Sequence, residues 1–428
     1  MLPGQPPSDR PLRQLPVLII GGGIAGLVLA QSLKKRGIPF IVFERDDAPN
    51  SRLQGWALTI HFALPQLLEM LPDELHDKLD QVQVNPTLRY DQSYSTFLNL
   101  ANCDVKWRLP PSAVTRKRVS RDRFRLMLLA DLKDQILWGK QFVSFHAQDE
   151  VTVTATFSDG SSYTGLLLVG AEGSRSKVRS LLYNMTLNPP SRVPISFLGT
   201  SLDANGRQIR SLLELDPVLF QGCHPVTKTW MWFSVMDSPQ TNGTAELPEE
   251  KQMWRIQLCL SWPTESSTDI PATDAERVLK MRERAECFHP MLRALLTEAL
   301  PDNHGPILSI DLQDWYLPAS PSLNNLGGRV TVAGDAAHTM AMYRGEGFNH
   351  ALLDDYHLTM AIEKVYDSTA PSTTGDISAL RTSAIATYEE NVRRRGTGAV
   401  GMCRAATLEV HDYDKLSEQS IVRQKTIL

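Results

Sequence analysis

Cysteine is scarce in this chain, which has only five cysteines among 428 residues and no C-x-x-C pair. That spacing favours neither a zinc site nor a disulfide framework, and it is typical of a protein whose thiols stay reduced. Neither sign of charge dominates, because 44 Lys and Arg face 48 Asp and Glu, for a net charge of -4. We find no electrostatic basis for binding nucleic acid or an anionic membrane, and we expect a small, weakly charged partner.

Long apolar runs are also missing from the sequence. No stretch approaches the roughly 20 apolar residues that cross a bilayer, and residues 1–16 lack the apolar core of a signal peptide. We therefore expect a soluble, cytoplasmic protein without a membrane span. Because a single hydrophobic core stops growing at roughly 250 to 300 residues, the length of the chain predicts two domains.

The first informative segment is a short apolar run that ends in three glycines. Residues 15–20 read L-P-V-L-I-I, which is typical of a parallel strand buried on both faces. The turn G-G-G-I-A-G follows, and apolar residues at helical spacing continue until Gly37. The order strand, tight turn, helix predicts a dinucleotide site, with a pyrophosphate on the free amides of the helix N-terminus. The residues of this turn that we assign to cofactor binding are Gly21, Gly23, Ala25 and Gly26.

A second apolar run, residues 39–43, ends at Glu44. An acid at this distance from the glycines is positioned to accept hydrogen bonds from the hydroxyls of an adenosine ribose. We assign Glu44 to that role, and the neighbouring Arg45 either to the adenosine side or to a solvated surface position. These residues alone leave open whether the dinucleotide is FAD or NAD.

A segment of the same type occurs in the last quarter of the chain. Residues 328–333 read G-R-V-T-V-A, which predicts a short buried strand. The strand delivers G-D-A-A-H at its carboxyl end, where ligands bind in open α/β sheets. The residues M-Y-R-G-E-G-F-N follow and lead into an apolar-rich stretch of helical character. This pattern predicts a second loop that enters a second helix N-terminus.

These segments resemble the flavoprotein aromatic hydroxylases, the para-hydroxybenzoate-hydroxylase-like class A FAD-dependent monooxygenases. The middle motif of that family, D-G followed by G-A-D-G-x-x-S-x-V-R, is similar to residues 159–160 and 170–179 here. Its third motif, G-D-A-A-H followed by G-x-G-x-N and an acid, is similar to residues 334–338 and 345–354. With the first glycine turn, three motifs in the family's order span roughly residues 15–360, which is far more specific than any one of them.

The resemblance implies FAD as the bound cofactor and NAD(P)H as a transient co-substrate. It implies that Asp335 binds the ribityl chain and that amides of the second glycine loop face the flavin pyrimidine edge. A helix N-terminus at that edge would stabilise the negative charge of the reduced flavin. An arginine ahead of a helix and a further loop would also lie beside the cofactor. The residues implied in these roles are Asp335, Gly345, Gly347, Phe348, Asn349, Arg121, Arg52 and Gly55.

The chain departs from the family pattern at three positions. Glu172 replaces an aspartate, Met342 replaces a proline that is common near the flavin, and Phe124 replaces a leucine. None of these changes removes a phosphate-binding glycine or Asp335, so the cofactor assignment stands. The contact that the longer Glu172 side chain makes stays open.

Other side chains in the motifs have simpler structural interpretations. We expect His338 to belong to the loop scaffold, and we leave open whether Tyr343 and Arg344 line an active site or are buried loop residues. Trp230 and Trp232 alternate like one face of a strand. Their W-x-W spacing is similar to that of flavin halogenases, but the residues that follow do not match, so halogenation receives little support.

The sequence predicts a mixed α/β fold with a Rossmann-like FAD-binding domain, an inserted β-sheet domain and C-terminal helices. We assign residues 12–85, 113–183 and 307–366 to the FAD-binding domain, with a hairpin at residues 159–160. We assign residues 86–112 and 187–306 to the substrate-binding sheet. Residues 376–428 form the predicted C-terminal helical region.

The resemblance implies a monooxygenase that uses NAD(P)H and O2 to hydroxylate or epoxidise a small apolar or aromatic substrate, such as a secondary metabolite. The oxygen would be transferred through a flavin C4a-hydroperoxide, which an apolar insertion over the flavin would shield from water. Two alternatives stay open, a flavin-dependent oxidase or reductase without oxygen insertion, and a non-enzymatic flavin-binding protein. The sequence assigns no catalytic acid or base.

Overall fold

The computed structural model describes most of the chain. The described residues are 12–51, 55–88, 94–109, 116–147, 149–183, 185–264, 269–318, 325–367, 369 and 373–424. Within them the strands are β1 Val17–Ile20, β2 Phe40–Phe43, β3 Ala57–Ile60, β4 Ser95–Asn99, β5 Val105–Leu109, β6 Lys117–Ser120, β7 Ile136–Leu137, β8 Phe142–His146, β9 Val153–Phe157, β10 Ser162–Gly165, β11 Leu167–Gly170, β12 Ser191–Arg192, β13 Ile195–Asn205, β14 Leu219–Cys223, β15 Trp230–Asp237, β16 Met253–Pro263, β17 Leu308–Ser309, β18 Gln313–Tyr316, β19 Val330–Val332 and β20 His338–Thr339.

The α-helices surround these strands. They are α1 Ile24–Lys35, α2 Leu64–Met70, α3 His76–Gln81, α4 Arg121–Leu128, α5 Lys177–Leu182, α6 Gly206–Leu215, α7 Pro239–Asn242, α8 Asp274–Arg284, α9 Pro290–Ala294, α10 Gly347–Tyr366 and α11 Thr374–Glu409. No helix in the described part of the chain is long and apolar enough to cross a membrane.

The strand that begins the first glycine motif lies at the centre of a five-stranded parallel sheet, ordered β19-β11-β1-β2-β7. Every residue of β1 and of β11 is buried, as expected for strands that are covered on both faces. Because the strands are parallel, the turn after β1, Glu44 after β2 and the segment after β19 meet at the same edge of the sheet. The predicted mixed α/β fold is confirmed.

Helix α1 follows the first glycine turn and buries Leu27, Val28 and Leu33 against the parallel sheet and α10. It ends where Gly37 adopts a φ of +67° and its amide donates to the Lys34 carbonyl at 3.0 Å. A left-handed residue at this position is inexpensive only for glycine, so the predicted helix end is confirmed. The predicted hairpin is also present, because β9 and β10 pair antiparallel on either side of Gly160.

The larger sheet has seven strands in the order β17-β13-β16-β15-β14-β4-β5. It takes strands from both predicted inserted segments, and it also takes β17, which lies inside the predicted third segment of the FAD-binding domain. One face of this sheet packs against α6, α8 and α9 through an apolar core that includes Leu198, Leu258 and Phe233. The domain boundaries themselves stay a prediction.

Helix α11 is 36 residues long and connects the two parts of the molecule. Near its start, Arg381 is buried and donates to the carbonyls of Glu150 and Leu166 in the FAD-binding part, at 3.0 and 3.2 Å. Near its end, Arg404 donates to Asp314 at 2.8 Å. The chain then returns at residues 421–423 to the loop that precedes α10. The predicted C-terminal helix is therefore present up to Glu409, and only short helical turns follow it in the described residues.

Candidate active site

The first glycine turn has a backbone that other residues would not fit. Gly21 has a φ of +112°, and a Cβ at this position would lie 2.7 Å from the carbonyl oxygen of Ala171. A Cβ at Gly26 would lie 2.1 Å from the carbonyl oxygen of Gly21. These distances are far below van der Waals contact, so both glycines are needed to pack the turn and the helix against the sheet.

Gly23 has a different role, because its surroundings are open. It is the N-cap of α1 and provides no side-chain cap for the helix, and no atom lies within 4 Å of the position of its missing Cβ. Gly23 and Ala25 are half-buried, whereas Gly26 is buried. The beginning of α1 therefore presents backbone amides and the positive end of the helix dipole to an open cradle, which suits a phosphate.

Glu44 lies directly beneath this cradle. Its side chain is buried, and its carboxylate accepts hydrogen bonds from the amides of Gly22 at 2.8 Å and Asp46 at 3.0 Å. The acid thus fixes the glycine turn to the end of β2, where the sequence predicts a ribose-binding acid. Arg45 is exposed, which agrees with a solvated surface position.

The segment after β19 reaches the same edge of the sheet. Gly334 turns with a φ of +63°, and Asp335 follows it at the start of a short helical turn, residues 334–336. The Asp335 side chain is reachable by solvent although protein atoms surround it, as expected for a side chain that lines a deep groove. Desolvation by these surroundings raises the pKa of Asp335, and the nearby cations Arg121 and Arg179 oppose that shift.

The two predicted helix N-termini come together around Gly334. A Cβ on Gly334 would lie 3.4 Å from the Cβ of Ala25 in α1 and 3.3 Å from the Cβ of Ala351 in α10. The two helices also contact each other along their length, for example where Thr359 donates to Ser32 at 3.0 Å. The loops near Gly23 and Gly347, which are more than 300 residues apart in the sequence, therefore border one groove.

The second glycine loop is open in the same way as the first. Gly345 is exposed with a φ of +66°, no atom lies within 4 Å of its missing Cβ, and no side chain caps α10. The ring of Phe348 packs edge-on against Phe124 of α4, with 6.1 Å between centroids. Two uncapped helix N-termini and an accessible acid between them fit the pyrophosphate, flavin and ribityl parts of FAD.

The side chain of Asn349 makes its hydrogen bonds within the protein. Its side-chain amide donates to the carbonyl of Thr59 at 2.9 Å and accepts from the amide of His61 at 2.8 Å. These bonds hold β3 against the beginning of α10. The structure therefore gives the Asn349 side chain a positioning contact, while its backbone lies in the first turn of the helix.

Beside β3, the amide of Arg121 donates to the carbonyl of Trp56 at 3.2 Å. This bond places the beginning of α4 next to Gly55, and a Cβ on Gly55 would lie 3.9 Å from the hydroxyl of Ser201 on the large sheet. Arg121 and Gly55 thus lie where the groove meets the large sheet. Arg52, which the sequence assigns to the same loop, lies outside the described residues.

The predicted scaffold role of His338 agrees with its contacts. His338 is buried, and its Nε2 bonds to Asp354 at 2.6 Å. The same carboxylate accepts from the amide of Gly334 at 2.8 Å and from Arg395 of α11. Asp354 therefore holds the Gly334 turn, α10 and α11 together. Burial tends to raise the pKa of Asp354, but the interactions with His338 and Arg395 outweigh it and keep the pKa below the usual range.

Glu172 also acquires a definite contact, as the cap of α5. Its carboxylate accepts from the amides of Lys177 at 3.1 Å and Val178 at 3.0 Å, and from the hydroxyl of Ser176 at 2.6 Å. The longer side chain that replaces the usual aspartate thus satisfies the helix N-terminus. Among these partners none belongs to the first glycine turn.

Arg344 and Tyr343 are both buried and bond to other parts of the protein. Arg344 makes a bidentate pair with Glu346, at 3.1 and 2.9 Å, and donates to the carbonyl of Ile421. The hydroxyl of Tyr343 donates to Ser261 on the large sheet at 2.9 Å. Both side chains fasten the second glycine loop to distant parts of the chain.

The bond from Tyr343 continues to the end of α11. His411 Nδ1 lies 2.6 Å from the carbonyl of Thr407, so this nitrogen donates and Nε2 accepts. The hydroxyl of Ser261, 2.9 Å from Nε2, must then donate to His411. Burial lowers the pKa of His411 to about 4, which keeps the ring neutral and the direction of this chain fixed.

Several residues of the site were missed in the sequence, although a signal was present. Strand β16 alternates polar and aliphatic residues, and Arg255, Gln257, Cys259 and Ser261 all lie on the face towards Trp56 and Tyr343. The two-residue period identifies one face of a strand. Without the pairing of the strands, it does not show which face meets the cofactor loops.

Comparison with known proteins agrees with this geometry. The family model described as "FAD binding domain" matches residues 14–388. The chain is 41% identical to "FAD-dependent monooxygenase dbaB" of Emericella nidulans over 400 residues, which is 92% of this chain and 98% of that protein. It is 36% identical to a "Probable FAD-dependent monooxygenase" of Arthroderma benhamiae, over 94% of both chains.

Solved structures show the same fold. The crystal structure of a putative FAD-containing monooxygenase from Photorhabdus luminescens is 25% identical, with a TM-score of 0.74 over 94% of this chain and 100% of that chain. The family model's match, residues 14–388, extends from before the first glycine turn into α11. The chain therefore belongs to the family of FAD-dependent monooxygenases that share this FAD binding domain.

Proposed function

We propose that this enzyme uses NAD(P)H and O2 to oxygenate a small aromatic substrate held between the FAD groove and the large sheet. The observation that carries the proposal is the meeting of two uncapped helix N-termini and Asp335 along one groove. The same groove opens at Gly55 against the sheet. The relatives named as FAD-dependent monooxygenases support an oxygenase activity.

In this proposal the amides of Gly23 and Ala25 bind the pyrophosphate of FAD, and Glu44 accepts from the adenosine ribose. Asp335 binds the ribityl chain. The amides of Gly345, Gly347 and Phe348 face the pyrimidine edge of the flavin, where the dipole of α10 stabilises negative charge without a titratable group. When bound, FAD supplies the transfer of electrons from NAD(P)H to oxygen.

The large sheet supplies the other wall of the reaction chamber. Trp56 and Trp232 are half-buried on this side, while Phe197 and Trp230 are buried. Such a wall keeps bulk water away from the reacting atoms and offers aromatic surface to a flat substrate. NAD(P)H would approach from the surface of the FAD-binding domain.

The test begins with purified protein, which should be yellow and should release FAD on denaturation. We expect 2-naphthol, 1,3-dihydroxynaphthalene or indole to accelerate NAD(P)H oxidation, and 18O2 to deliver label into the product. Oxidised product without label would instead identify an oxidase. FAD binding without NAD(P)H oxidation that any of the three compounds stimulates would contradict the proposed substrate class, and a protein that takes up no FAD would contradict the proposal entirely.

A substitution in the groove provides a second test. Asp335→Asn removes a charge-assisted hydrogen bond to the cofactor and should weaken FAD binding by about tenfold or more. The matched control is Asp311→Asn. Asp311 lies on the surface, where its Oδ1 is 3.3 Å from Nε of Arg192. The control should bind FAD as tightly as the wild type, measured by titration of the apoprotein with FAD.

A further inference from the structure

The geometry points to a graded inner wall that fixes the orientation of the substrate, with its aromatic core against Trp56 and Trp232 and its oxygen substituent at Gln257. The inner face is the face of the large sheet that contacts Trp56 and Tyr343. This inference rests on the proposed function and goes further, because it identifies the residues that determine specificity. The substrate class it names is a flat aromatic system with a hydroxyl or keto oxygen at one end.

The register of the strands places the inner-face residues of β13, β16 and β15 in straight rows across the sheet. The first row contains Phe197, Ser261 and Trp230, and all three are at most 2% exposed. Tyr343 closes this end, with its ring 4.6 Å from Trp230 and its hydroxyl bonded to Ser261. The first row is therefore the closed, aromatic end of the wall.

The second row contains Gly199, Cys259 and Trp232. A Cβ on Gly199 would lie 2.9 Å from Cη2 of Trp56 and 3.2 Å from the sulfur of Cys259. Because Gly199 has no side chain, the ring of Trp56 can approach the strand. Trp56 directly follows Gly55 of the cofactor loop. Trp56 and Trp232 are both half-buried, so each leaves aromatic surface for a ligand.

The third row contains Ser201, Gln257 and Ser234. The Ser234 hydroxyl accepts from Trp232 Nε1 at 3.1 Å and donates to Gln257 Oε1 at 3.3 Å, which fixes the orientation of the Gln257 amide. Gln257 Nε2 is then directed to the sulfur of Cys259 at 3.5 Å. Because a thiol sulfur is a weak acceptor, an oxygen atom of a ligand would be a better partner for this amide.

The fourth row contains Asp203, Arg255 and Asp237 and forms the mouth of the chamber. Asp203 and Arg255 are exposed and pair at 2.8 and 3.0 Å. A cavity of about 110 Å³ opens here between Gly55, Ser201 and this row. The wall thus changes from buried and aromatic at the first row to charged and open at the fourth.

The opposite face of the same strands shows that this gradient is specific to the inner face. The residues between the rows, such as Leu198, Leu258 and Phe233, are apolar and pack in one core, except Thr200, whose hydroxyl donates to the carbonyl of Pro306 at 3.0 Å. A strand between two packed layers needs no polar residues on either face. Ser234 is bonded within the protein by Arg118 at 2.9 Å and by Trp232 at 3.1 Å, so the weak bond from Gln257 Nε2 to the Cys259 sulfur is the one that a polar ligand at the third row would replace.

The test measures ligand binding to the FAD-loaded enzyme from the change in flavin absorbance, with 2-naphthol and naphthalene as probes. Wild-type enzyme should bind 2-naphthol more tightly than naphthalene. Gln257→Leu should weaken 2-naphthol binding by about two- to tenfold, as for one neutral hydrogen bond, and should leave naphthalene binding unchanged. Gln240→Leu, on the exposed surface of the same part of the protein, is the control.

Gly199→Ala should displace the Trp56 ring and weaken the binding of both probes by about tenfold. The double variant Gly199→Ala with Trp56→Phe makes room for the added methyl group and should recover most of the lost affinity, a rescue that a general folding defect would not show. Gly398→Ala, at an exposed helical position with no atom near the missing Cβ, is the control and should behave like the wild type.

Three results would overturn the inference: no binding of 2-naphthol by the FAD-loaded wild type, equal weakening of both probes by Gln257→Leu, or no recovery in the double variant. Each of these leaves FAD binding and label incorporation from 18O2 free to succeed with another substrate. Failure of the proposed function would instead appear as a protein without FAD, or as one that incorporates no oxygen. The two failures are therefore distinguishable.

Discussion

The two glycine loops of the FAD groove are similar in shape but differ in what holds them. The first loop is fixed by backbone sterics at Gly21 and Gly26 and by Glu44, which lies only 22 residues away from its partner Gly22. The second loop is fixed by its own side chains, which bond to distant segments: Tyr343 donates to Ser261 and Arg344 donates to the carbonyl of Ile421. The first loop is therefore held mainly by nearby residues, with Ala171 and Arg125 as its distant contacts, whereas these side-chain bonds of the second loop run to distant segments or to Glu346.

This difference has a physical consequence for folding and for cofactor binding. A local turn can form when its own strand and helix form, because few long-range contacts are required. The second loop needs α11 and the large sheet in place before its bonds exist. We expect changes in the first loop to act directly on FAD, and changes in the second to act through stability as well.

The largest effect should come from the first loop. In Gly26→Ala the new Cβ would lie 2.1 Å from a backbone oxygen, which no side-chain motion can relieve. The turn must move, so we expect FAD binding to weaken by at least about a hundredfold, since overpacking commonly costs 1–3 kcal/mol and rigid backbone adds to it. The measurement is FAD retained after gel filtration. Gly401→Ala, which has open space around it, should retain FAD fully.

For the second loop, the next largest effect should come from replacing Asp354. Asp354→Ala leaves Arg395 and His338 buried without their carboxylate and frees the amide of Gly334. Loss of one partner of a buried ion pair typically costs about 3–5 kcal/mol, and we expect that loss in the free energy of unfolding by urea. Asp302→Ala removes an exposed partner of Arg282 and should cost less than about 1 kcal/mol. Equal stabilities of these two variants would contradict the central role of Asp354.

The same contrast explains how much the sequence could predict. Gly21, Gly23, Gly26 and Glu44 were recognisable because a strand, a turn and a helix with an acid at fixed spacing have few structural solutions. The scaffold role of His338 was also predicted. The fold class followed from the same strand and helix patterns.

The parts that were not predicted are those that depend on pairing between distant segments. Nothing in the residues around His411 indicates that it accepts from Ser261, because these residues are 150 positions apart. Gly199 is one glycine in a strand, and only the approach of Trp56 shows why a side chain would not fit. Local patterns give elements and motifs, whereas the lining of the chamber is a property of the tertiary fold.

Helix α10 also differs from α1 because it has a buried acidic side chain in its middle. Asp355 is fully buried, and among the described residues neither of its carboxylate oxygens has a hydrogen-bond partner. Burial, with the neighbouring Asp354 charge, raises its pKa well above the ordinary value. The folded protein therefore keeps a proton on Asp355 that the unfolded chain loses above its own pKa of about 4.

Stability should accordingly fall as the pH rises from about 4 towards the raised pKa, by at most about 1.4 kcal/mol per pH unit from this group. Asp355→Asn removes the ionisation and should raise the melting temperature at pH 7 more than at pH 5. The measurement is thermal unfolding of both proteins across this range. A gain that is the same at every pH would show that ionisation of Asp355 is not the cause.

The smallest effect should come from Tyr343→Phe. This change separates the contribution of the long-range hydrogen bonds of the second loop from the contribution of its packing. Tyr343→Phe keeps the ring against Trp230 and removes only the hydroxyl that donates to Ser261, while Ser261 can still donate to His411. Loss of one neutral buried hydrogen bond costs about 1 kcal/mol, so we expect a fall of a few degrees in melting temperature and a modest weakening of FAD binding. Tyr316→Phe, at an exposed tyrosine, is the matched control and should change neither. If Tyr343→Phe lowers stability without affecting FAD, the chain from Tyr343 to His411 holds the two parts of the molecule together but does not position the second loop, and the loop's geometry must then come from Arg344 and Glu346 alone.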